Sequence, residues 1–365
     1  MLEDIAEKIV KLQTKSPFRF LLIFLIITIL LVPGIFKLVN NVEPSLEKVL
    51  PQEIEEVKLM NDMRTQFGAD MMYLIVYAET PVYDVRNPAS IKYVNLLSEK
   101  IRTREYILEV NTLSDLVKEM NNDVIPDSLI EIKELLRANP STPLFSNKDY
   151  SISLIRIKSD TGSSAILIKQ VVDAIKEDID SLEEFNPGSR IQITGFNAID
   201  KATFEVIMSD FAMITLISMT LVGVVVFFTF KSLSKGMLPM IVVMISLIWT
   251  MGIVGYLGLT ITVVSMVAAA MIMGLGIDFG IHVVHNYFEL RKKYTSEEAL
   301  KETMRELLRA MIGASSTTIA GFLALLFGIL PAMKVLGIIL ALGIFTTLIG
   351  AVFLLPVVVY LYDKN

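Results

Sequence analysis

Asp278 and the only two histidines of the chain, His282 and His285, are the side chains best suited to proton chemistry. Their spacing of four and seven residues places all three on one face of a helix. The preceding residues 236–277 contain no Asp, Glu, Lys or Arg, so the carboxyl lies within an apolar segment. An ionisable group at bilayer depth costs at least about 2.5 kcal/mol and is rarely retained without a partner or a task.

The chemistry predicted for this face is proton transfer. A carboxylic acid inside a helical bundle can load and release a proton, and a neutral imidazole one turn away can carry that proton further. Thr317 and Thr318, in a later apolar stretch, have hydroxyls that could bond to the Asp278 carboxyl. In the alternative interpretation Asp278 is a structural hydrogen-bonding group, the histidines lie at the membrane interface, and the threonines only pack.

Glycines in the same two stretches are expected to let helices approach closely. They are Gly274, Gly276, Gly280, Gly313 and Gly321. The first three resemble a dinucleotide-binding loop, but their spacing is wrong and no strand precedes them. Cysteine is absent, which excludes disulfides and thiolate ligands. The sequence therefore predicts neither a cofactor nor a metal site.

Stretches without any formal charge determine the fold class. They cover residues 211–230, 236–277, 310–333 and 335–362. About 20 apolar residues are needed to cross a bilayer as a helix, so a soluble enzyme or a nucleic-acid-binding protein is excluded. We predict six transmembrane helices, at about residues 18–36, 211–230, 237–256, 260–288, 310–331 and 335–361. Residues 1–17 are predicted to form a cytoplasmic amphipathic helix, and the first span is expected to be an uncleaved anchor rather than a signal peptide.

Residues 37–209 have the composition of a water-exposed domain, with 28 acidic and 19 basic residues. Short strand patterns alternate with amphipathic helix patterns, which indicates an α/β domain. Strands are predicted at 71–77, 105–110 and 150–154 and near 191–193; helices are predicted at 91–101, 130–136 and 168–182. The fold class is thus a polytopic α-helical membrane protein with an external α/β domain, of ferredoxin-like βαβ type, between helices 1 and 2.

The distribution of basic residues predicts the orientation. With the N-terminus in the cytoplasm, 13 basic residues near the spans lie inside and only Lys334 lies in a short outside loop. Cytoplasmic loops carry an excess of Lys and Arg, so both termini are expected in the cytoplasm and the α/β domain outside the plasma membrane.

Three stretches resemble the resistance–nodulation–division superfamily of transporters. Residues 274–282 (Gly-Leu-Gly-Ile-Asp-Phe-Gly-Ile-His), with 286–289 after them, are similar to its fourth-span motif. Residues 314–322 resemble its fifth span, and 194–196 resemble the start of its second. The resemblance is closest to the branch with the MMPL and hopanoid transporters and the hydrophobe/amphiphile efflux-3 group.

The resemblance implies a proton-driven exporter rather than an enzyme, with an external porter domain for lipids or other hydrophobic or amphiphilic molecules. The relay aspartate of the family corresponds to Asp278. Many relatives have tyrosine directly after this aspartate, whereas this chain has Phe279, which has no hydroxyl. His282 and the threonines of the fifth span therefore gain importance as relay candidates.

Two other functions fit the same six-span plan. One is a SecDF-like accessory of protein translocation, and the other is a sterol-sensing type of sensor or scaffold. Complete members of the superfamily carry two six-span halves, so this chain is expected to pair with a second copy as a homodimer. Alternatively, it is the amino-terminal half of a longer protein.

Overall fold

The structure, a computed structural model, describes residues 2–44, 49–59, 62, 71–79, 84–161 and 164–364. The chain divides into two compact units. The helical bundle comprises residues 1–51 and 206–365, and the sheet domain comprises residues 52–205. Among the described residues, six helices are long and apolar enough to cross a membrane, as predicted. These spans, numbered first to sixth, are Pro17–Asn40, Phe196–Phe230, Leu233–Tyr256, Val263–Leu290, Ser296–Phe327 and Pro331–Lys364.

The sheet domain contains a four-stranded antiparallel sheet. Its strands are β1 (Met71–Ala78), β2 (Ile107–Asn111), β3 (Ile152–Ser159) and β4 (Ser189–Gly195). They lie in the order β2-β3-β1-β4, and each neighbouring pair is antiparallel. Alternate residues of β1 and β3 are buried, as expected for strands with one covered face.

Helices of the sheet domain pack in two hydrophobic clusters, one against the strands and one around Leu113, Ile132 and Leu136. The described helices are α2 (Pro88–Arg102), α3 (Leu113–Met120), α4 (Leu129–Ala138) and α5 (Ala165–Ser181); α1 (Leu2–Lys15) belongs to the bundle. The apolar stripe of α5 that the sequence predicts is buried in the first of these clusters together with Leu97 and Ile101 of α2. The prediction of α2 and α5 from apolar residues that repeat about every 3.6 positions is therefore confirmed.

The helix α3 lies in a stretch for which the sequence predicted no element. The Thr112 hydroxyl accepts a hydrogen bond from the Asp115 N–H, and the Asp115 carboxylate accepts one from the Thr112 N–H at 2.8 Å. This reciprocal cap starts a helix of eight residues. So short a helix gives a weak periodic signal, which explains why it was missed.

Asp84 connects a loop of the sheet domain to α4. Its carboxylate pairs with Arg86 at 2.8 Å and with Lys133 at 3.2 Å. Partial burial works to raise the pKa of Asp84, but hydrogen bonds from Arg86 and Lys133 outweigh it and hold the pKa below its ordinary value. The ionised form is thus favoured in the folded domain.

The first and third spans are in backbone contact. Gly34 lies against Gly252 and Gly255, and a side chain at any of the three would overlap the backbone of the opposite helix. Next to this crossing, the Trp249 ring stacks on Phe24 with centroids 5.2 Å apart, and its Nε1–H donates to a hydroxyl of the first span at 2.8 Å. Small residues allow such close approach because helices in lipid associate mainly through van der Waals packing.

Buried hydroxyls join the third and sixth spans. The Thr250 and Thr346 hydroxyls lie 2.8 Å apart, and the Ser246 hydroxyl donates to the Thr346 carbonyl at 3.3 Å. The Thr346 hydroxyl in turn donates to the Ser246 carbonyl at 3.2 Å. The two helices are therefore linked by polar contacts in an otherwise apolar interior.

The sixth span contains a π-helical turn at Gly350–Leu354. A π turn disturbs the regular pattern of backbone bonds. Gln13 of α1 donates from its Nε2 to the carbonyls of Val352 and Phe353, both at 3.1 Å. The amphipathic helix at the start of the chain thereby supplies hydrogen bonds to this turn.

The helices of two spans begin well before their predicted limits. The helix of the fifth span begins at Ser296 rather than 310, because Thr295 caps it with Glu298 and charged pairs such as Lys301–Glu297 support its first turns. The helix of the second span begins at Phe196 rather than 211. A stretch without charged residues predicts only the part of a helix that can lie in the hydrocarbon core, and both helices continue beyond that part.

Candidate functional site

The fourth span has one covered face and one open face. On the covered face, a side chain added at Gly276 would lie 2.7 Å from Thr347, and one added at Gly280 would lie 2.6 Å from Pro239. On the open face, Asp278, His282 and His285 are exposed on the surface of the chain. The helical spacing of four and seven residues places the three ionisable groups together on this open face.

Asp278 and His282 line a cavity of about 380 Å³ that the fourth, fifth and sixth spans enclose. Most of the lining is apolar. The cavity residues are Leu275, Asp278, Phe279, His282, Leu307, Ala310, Met311, Ala314, Thr318 and Ile344. A carboxyl and an imidazole thus share one space that is large enough for several water molecules.

The two threonines predicted as partners of Asp278 differ in their position relative to the cavity. Thr318 lines the cavity with Asp278, whereas Thr317 is not among the lining residues. Both hydroxyls donate to the Ala314 carbonyl of their own helix, at 2.8 Å from Thr317 and 2.9 Å from Thr318. Within the described part of the chain Asp278 has no hydrogen bond or salt bridge, so the predicted bond from a threonine to the carboxyl is not formed here.

His285 lies outside the cavity lining but on the same exposed face, about one turn beyond His282. This arrangement leaves a route along the helix surface from the cavity toward the end of the fourth span. Phe279 also lines the cavity, and its side chain contributes no hydroxyl there.

The five glycines predicted to pack helices closely also fall into two groups. Gly276 and Gly280 lie against the third and sixth spans, as described above. Around Gly274, Gly313 and Gly321, no atom lies within 4 Å of an added side-chain carbon in the structure described. The expectation of close helix packing therefore does not hold for these three within a single chain, because they face outward.

Sequence reasoning assigned no role to Asn286 and Glu306. The Asn286 Nδ2 donates to the Glu306 carboxylate at 2.8 Å, which ties the fourth span to the fifth just beyond the cavity. The Asn286 Oδ1 is buried without a hydrogen-bond partner. The spacing of four residues from His282 to Asn286 indicates that both lie on one face of the helix. The pairing of Asn286 with Glu306, however, depends on how the fourth and fifth spans are aligned.

Among the residues that the structure describes, no group of three or more histidine, aspartate or glutamate side chains could hold a metal ion. The arrangement at the cavity consists of one carboxyl, one imidazole and one hydroxyl within an apolar lining. Carboxyl and imidazole groups inside membrane proteins are typical of proton relays.

Comparison with known proteins gives one family and several relatives. The sequence model of the MMPL family matches residues 49–364. A membrane protein of Methanocaldococcus jannaschii is 28% identical over 375 aligned residues, covering 100% of this chain and 96% of the relative. A probable trehalose monomycolate exporter of Mycobacterium leprae, MmpL3, is 26% identical over 43% of this chain and 16% of its own length. A solvent-resistant pump membrane transporter of Pseudomonas putida, SrpB, is 24% identical over 56% of this chain and 20% of its own length.

Proposed function

The chain belongs to the MMPL family, and from this premise we propose that it is a proton-driven exporter of lipids or other hydrophobic or amphiphilic molecules. The observation that carries the proposal is the mostly apolar cavity that Asp278 and His282 line together on the open face of the fourth span. Relatives named as an exporter and a pump support export as the direction.

In the proposed mechanism Asp278 is the group that takes up and releases the driving proton. The Asp278 carboxyl forms no hydrogen bond or salt bridge within the described part of the chain, so its oxygens are open to a proton that arrives through the cavity. His282, one turn away in the same cavity, receives the proton, and His285 lies next on the route toward the cytoplasm. Thr318 can rotate its hydroxyl toward the cavity, and Thr317 has a supporting role at most, since it lies outside the lining.

We further propose that residues 37–209 form the extracytoplasmic porter domain, with both termini in the cytoplasm and the chain in the plasma membrane. The excess of basic residues on one side of the spans supports this orientation. The strand order β2-β3-β1-β4, with the helices α2 and α5 in the connections, supports a ferredoxin-like fold. Hydrophobic cargo would pass this domain in an apolar cleft.

The proposed assembly is a homodimer with two-fold symmetry about the membrane normal. Gly274, Gly313 and Gly321 face outward beside the Asp278 cavity, which supports pairing through the open face of the fourth and fifth spans. A closed two-fold pair is the commonest oligomer. In such a pair the two Asp278 carboxyls would lie near the axis.

The Asp278→Asn variant tests the proposed function. The amide keeps the shape of the side chain and cannot titrate, so proton-driven movement should fall to the level of protein-free vesicles while the protein folds normally. The assay follows a nitrobenzoxadiazole-labelled phospholipid and internal pyranine in reconstituted vesicles under an imposed pH gradient. Asp149→Asn, on an exposed loop of the sheet domain, is the matched control; undiminished proton movement in Asp278→Asn would refute the relay.

The His282→Phe variant separates the imidazole from the carboxyl. If His282 passes the proton, its replacement should slow proton movement and change the pH at which the rate is half-maximal. A rate that falls without any change in the pH profile would assign His282 to packing alone.

A further inference from the structure

A second cavity lies between the second and third spans and shares no residue with the Asp278 cavity. It is a groove of about 470 Å³, and its walls are almost entirely apolar. The lining residues are Leu216, Met219, Thr220, Gly223, Val224, Phe227, Phe228, Leu233, Gly236, Met237 and Met240. The second span otherwise packs little against the chain, since only 6% of its most apolar stretch is buried.

The shape of the groove depends on two glycines and three methionines. A side-chain carbon added at Gly223 would lie 3.3 Å from the Met240 methyl, so the missing side chain forms part of the space. Methionine side chains are flexible and adapt to the shape of an apolar ligand. Gly223, with Met219, Met237 and Met240, therefore gives a depression that can adjust to a flexible hydrocarbon.

The length of the groove corresponds to one leaflet. From Leu216 to Phe228 it follows the second span over roughly 18 Å, at about 1.5 Å per residue. The hydrocarbon core of a bilayer is about 30 Å thick, so the groove covers slightly more than half of it. One end lies at the two-residue loop between Phe230 and Leu233, where the helices leave the membrane.

Positive charge lies at that end. Lys231 is exposed, and within the described part of the chain its side chain has no salt bridge or hydrogen bond. Lys235 is directed to the ring of Phe288, with its Nζ 4.1 Å from the centroid. Ser232 does not cap the third span with its side chain, so the positive end of this helix also faces the loop.

We propose that this groove binds one hydrocarbon chain of an anionic phospholipid from the leaflet at Lys231, with the lipid phosphate beside the Lys231 ammonium. Bulk lipid would contact every exposed face of the second span equally. The groove instead combines an apolar space one leaflet long with a cation at its end, which selects by headgroup charge. This site is separate from the proton relay and does not depend on the proposed transport function.

Photo-crosslinking of the full chain in nanodiscs tests the site. The probe is phosphatidylglycerol with a diazirine at the end of one acyl chain, diluted in phosphatidylcholine, and the adducts are mapped by peptide mass spectrometry. We expect adducts concentrated on residues 216–240, with Lys231→Gln reducing them about fivefold, the preference that one lysine near a lipid surface contributes. The same probe with a choline headgroup should already give the lower level.

The second part of the experiment uses variants whose larger side chains fill the groove. Gly223→Leu should reduce the adducts on residues 216–240 about tenfold, whereas Leu221→Phe, on an exposed face outside the groove, should leave them unchanged. Met237→Trp fills the same space from the third span without adding a side chain to a glycine, and it should act like Gly223→Leu. Lys293→Gln, on the basic stretch before the fifth span, is the control for Lys231→Gln.

Three results would overturn the proposal. Adducts spread evenly over the exposed faces of the spans would identify bulk lipid. Equal labelling by the glycerol and choline probes would remove the role of Lys231. Absence of adducts, together with a smaller particle mass for Met237→Trp, would show that a second copy of the chain fills the groove.

Discussion

The third and sixth spans differ from the second and fifth in how far the rest of the chain covers them. In their most apolar stretches, 61% and 67% of the third and sixth spans are buried, against 6% and 11% of the second and fifth. Backbone contacts and buried hydroxyls hold the covered spans, whereas open glycines and an apolar groove mark the uncovered ones. The fourth span has one face of each kind.

This difference between covered and uncovered spans bears on the proposed proton relay. Asp278 and His282 are carried by a helix whose other face is fixed against covered spans, and they face the most apolar stretch of the fifth span, of which only 11% is buried. Segments with few buried contacts open and move at low free-energy cost. In the proposed mechanism, a proton on Asp278 would act on this stretch of the fifth span while the covered spans stay in place.

The largest effect should come from Gly255→Val in the covered region. The new side chain would overlap the backbone of Gly34, so the first and third spans would have to separate. We expect loss of about 4 kcal/mol or more of the free energy of unfolding, or no folded protein. Thermal unfolding in detergent measures it, with Gly313→Val on the open face as control; equal unfolding temperatures for the two variants would break the comparison.

A smaller effect is expected from Thr346→Val. The change removes a hydroxyl that bonds to both Thr250 and the Ser246 carbonyl, at a cost of about 1–2 kcal/mol. In the double variant with Thr250→Val the two costs should be less than additive, because both disrupt the same contact. Thr229→Val is the control, since the Thr229 hydroxyl bonds only to its own helix; equal destabilisation by Thr229→Val would mean that the buried network contributes nothing of its own.

Acid should weaken the sheet domain before it affects the covered spans. The pKa of Asp84 is lowered in the folded domain, so its contribution to stability is present above the ordinary value of 3.8 and is lost as the pH falls through the lower folded pKa. Limited proteolysis of residues 52–205 below about pH 4 reports this loss. Trp249, the single tryptophan, reports on the bundle by fluorescence.

The Asp84→Asn variant isolates that contribution. It should be less resistant to protease than the unaltered chain at neutral pH and should lose less resistance on acidification. The same loss on acidification in Asp84→Asn would assign the pH dependence to other carboxyls of the domain.

The smallest effect on stability is expected from Gly313→Ala and Gly321→Ala. Among the described residues no atom lies within 4 Å of a side-chain carbon added at either position, and alanine is favoured in helices by up to about 1 kcal/mol over glycine. The free energy of unfolding should stay equal or rise slightly. Leucine at the same positions should lower the particle mass in nanodiscs if the open face joins two copies, and an unchanged dimer mass would exclude this face.

The six spans could be predicted because each reflects a local requirement, an apolar stretch long enough for the hydrocarbon core. Their limits could not, since helices continue where caps and charged pairs support them. Thr295 and Glu298 start the fifth helix well outside its apolar part. The short α3 was missed for the same reason, because its capping box is a local hydrogen-bond pattern rather than a hydrophobic one.

The candidate site was predictable in part. The common face of Asp278 and His282 follows from helical spacing alone. Which threonine of the fifth span lines the cavity depends on the rotation of one helix against another, and neighbouring Thr317 and Thr318 differ by about 100°. The bond between Asn286 and Glu306 is likewise set by the alignment of two helices, which a single sequence does not specify.

The contact of Gln13 with the π turn of the sixth span has a consequence for biosynthesis. The Val352 and Phe353 carbonyls lie about 340 positions further along the chain, so they are synthesised long after α1. Until then the Gln13 amide lacks these two carbonyls, although Ala6 and Val10 can already pack in the apolar cluster that includes Leu300 and Met304 of the fifth span. The Gln13 bonds can therefore form only after insertion of the sixth span, so they report when α1 and the π turn have come together. Protection of Gln13 from solvent exchange would time that step during synthesis.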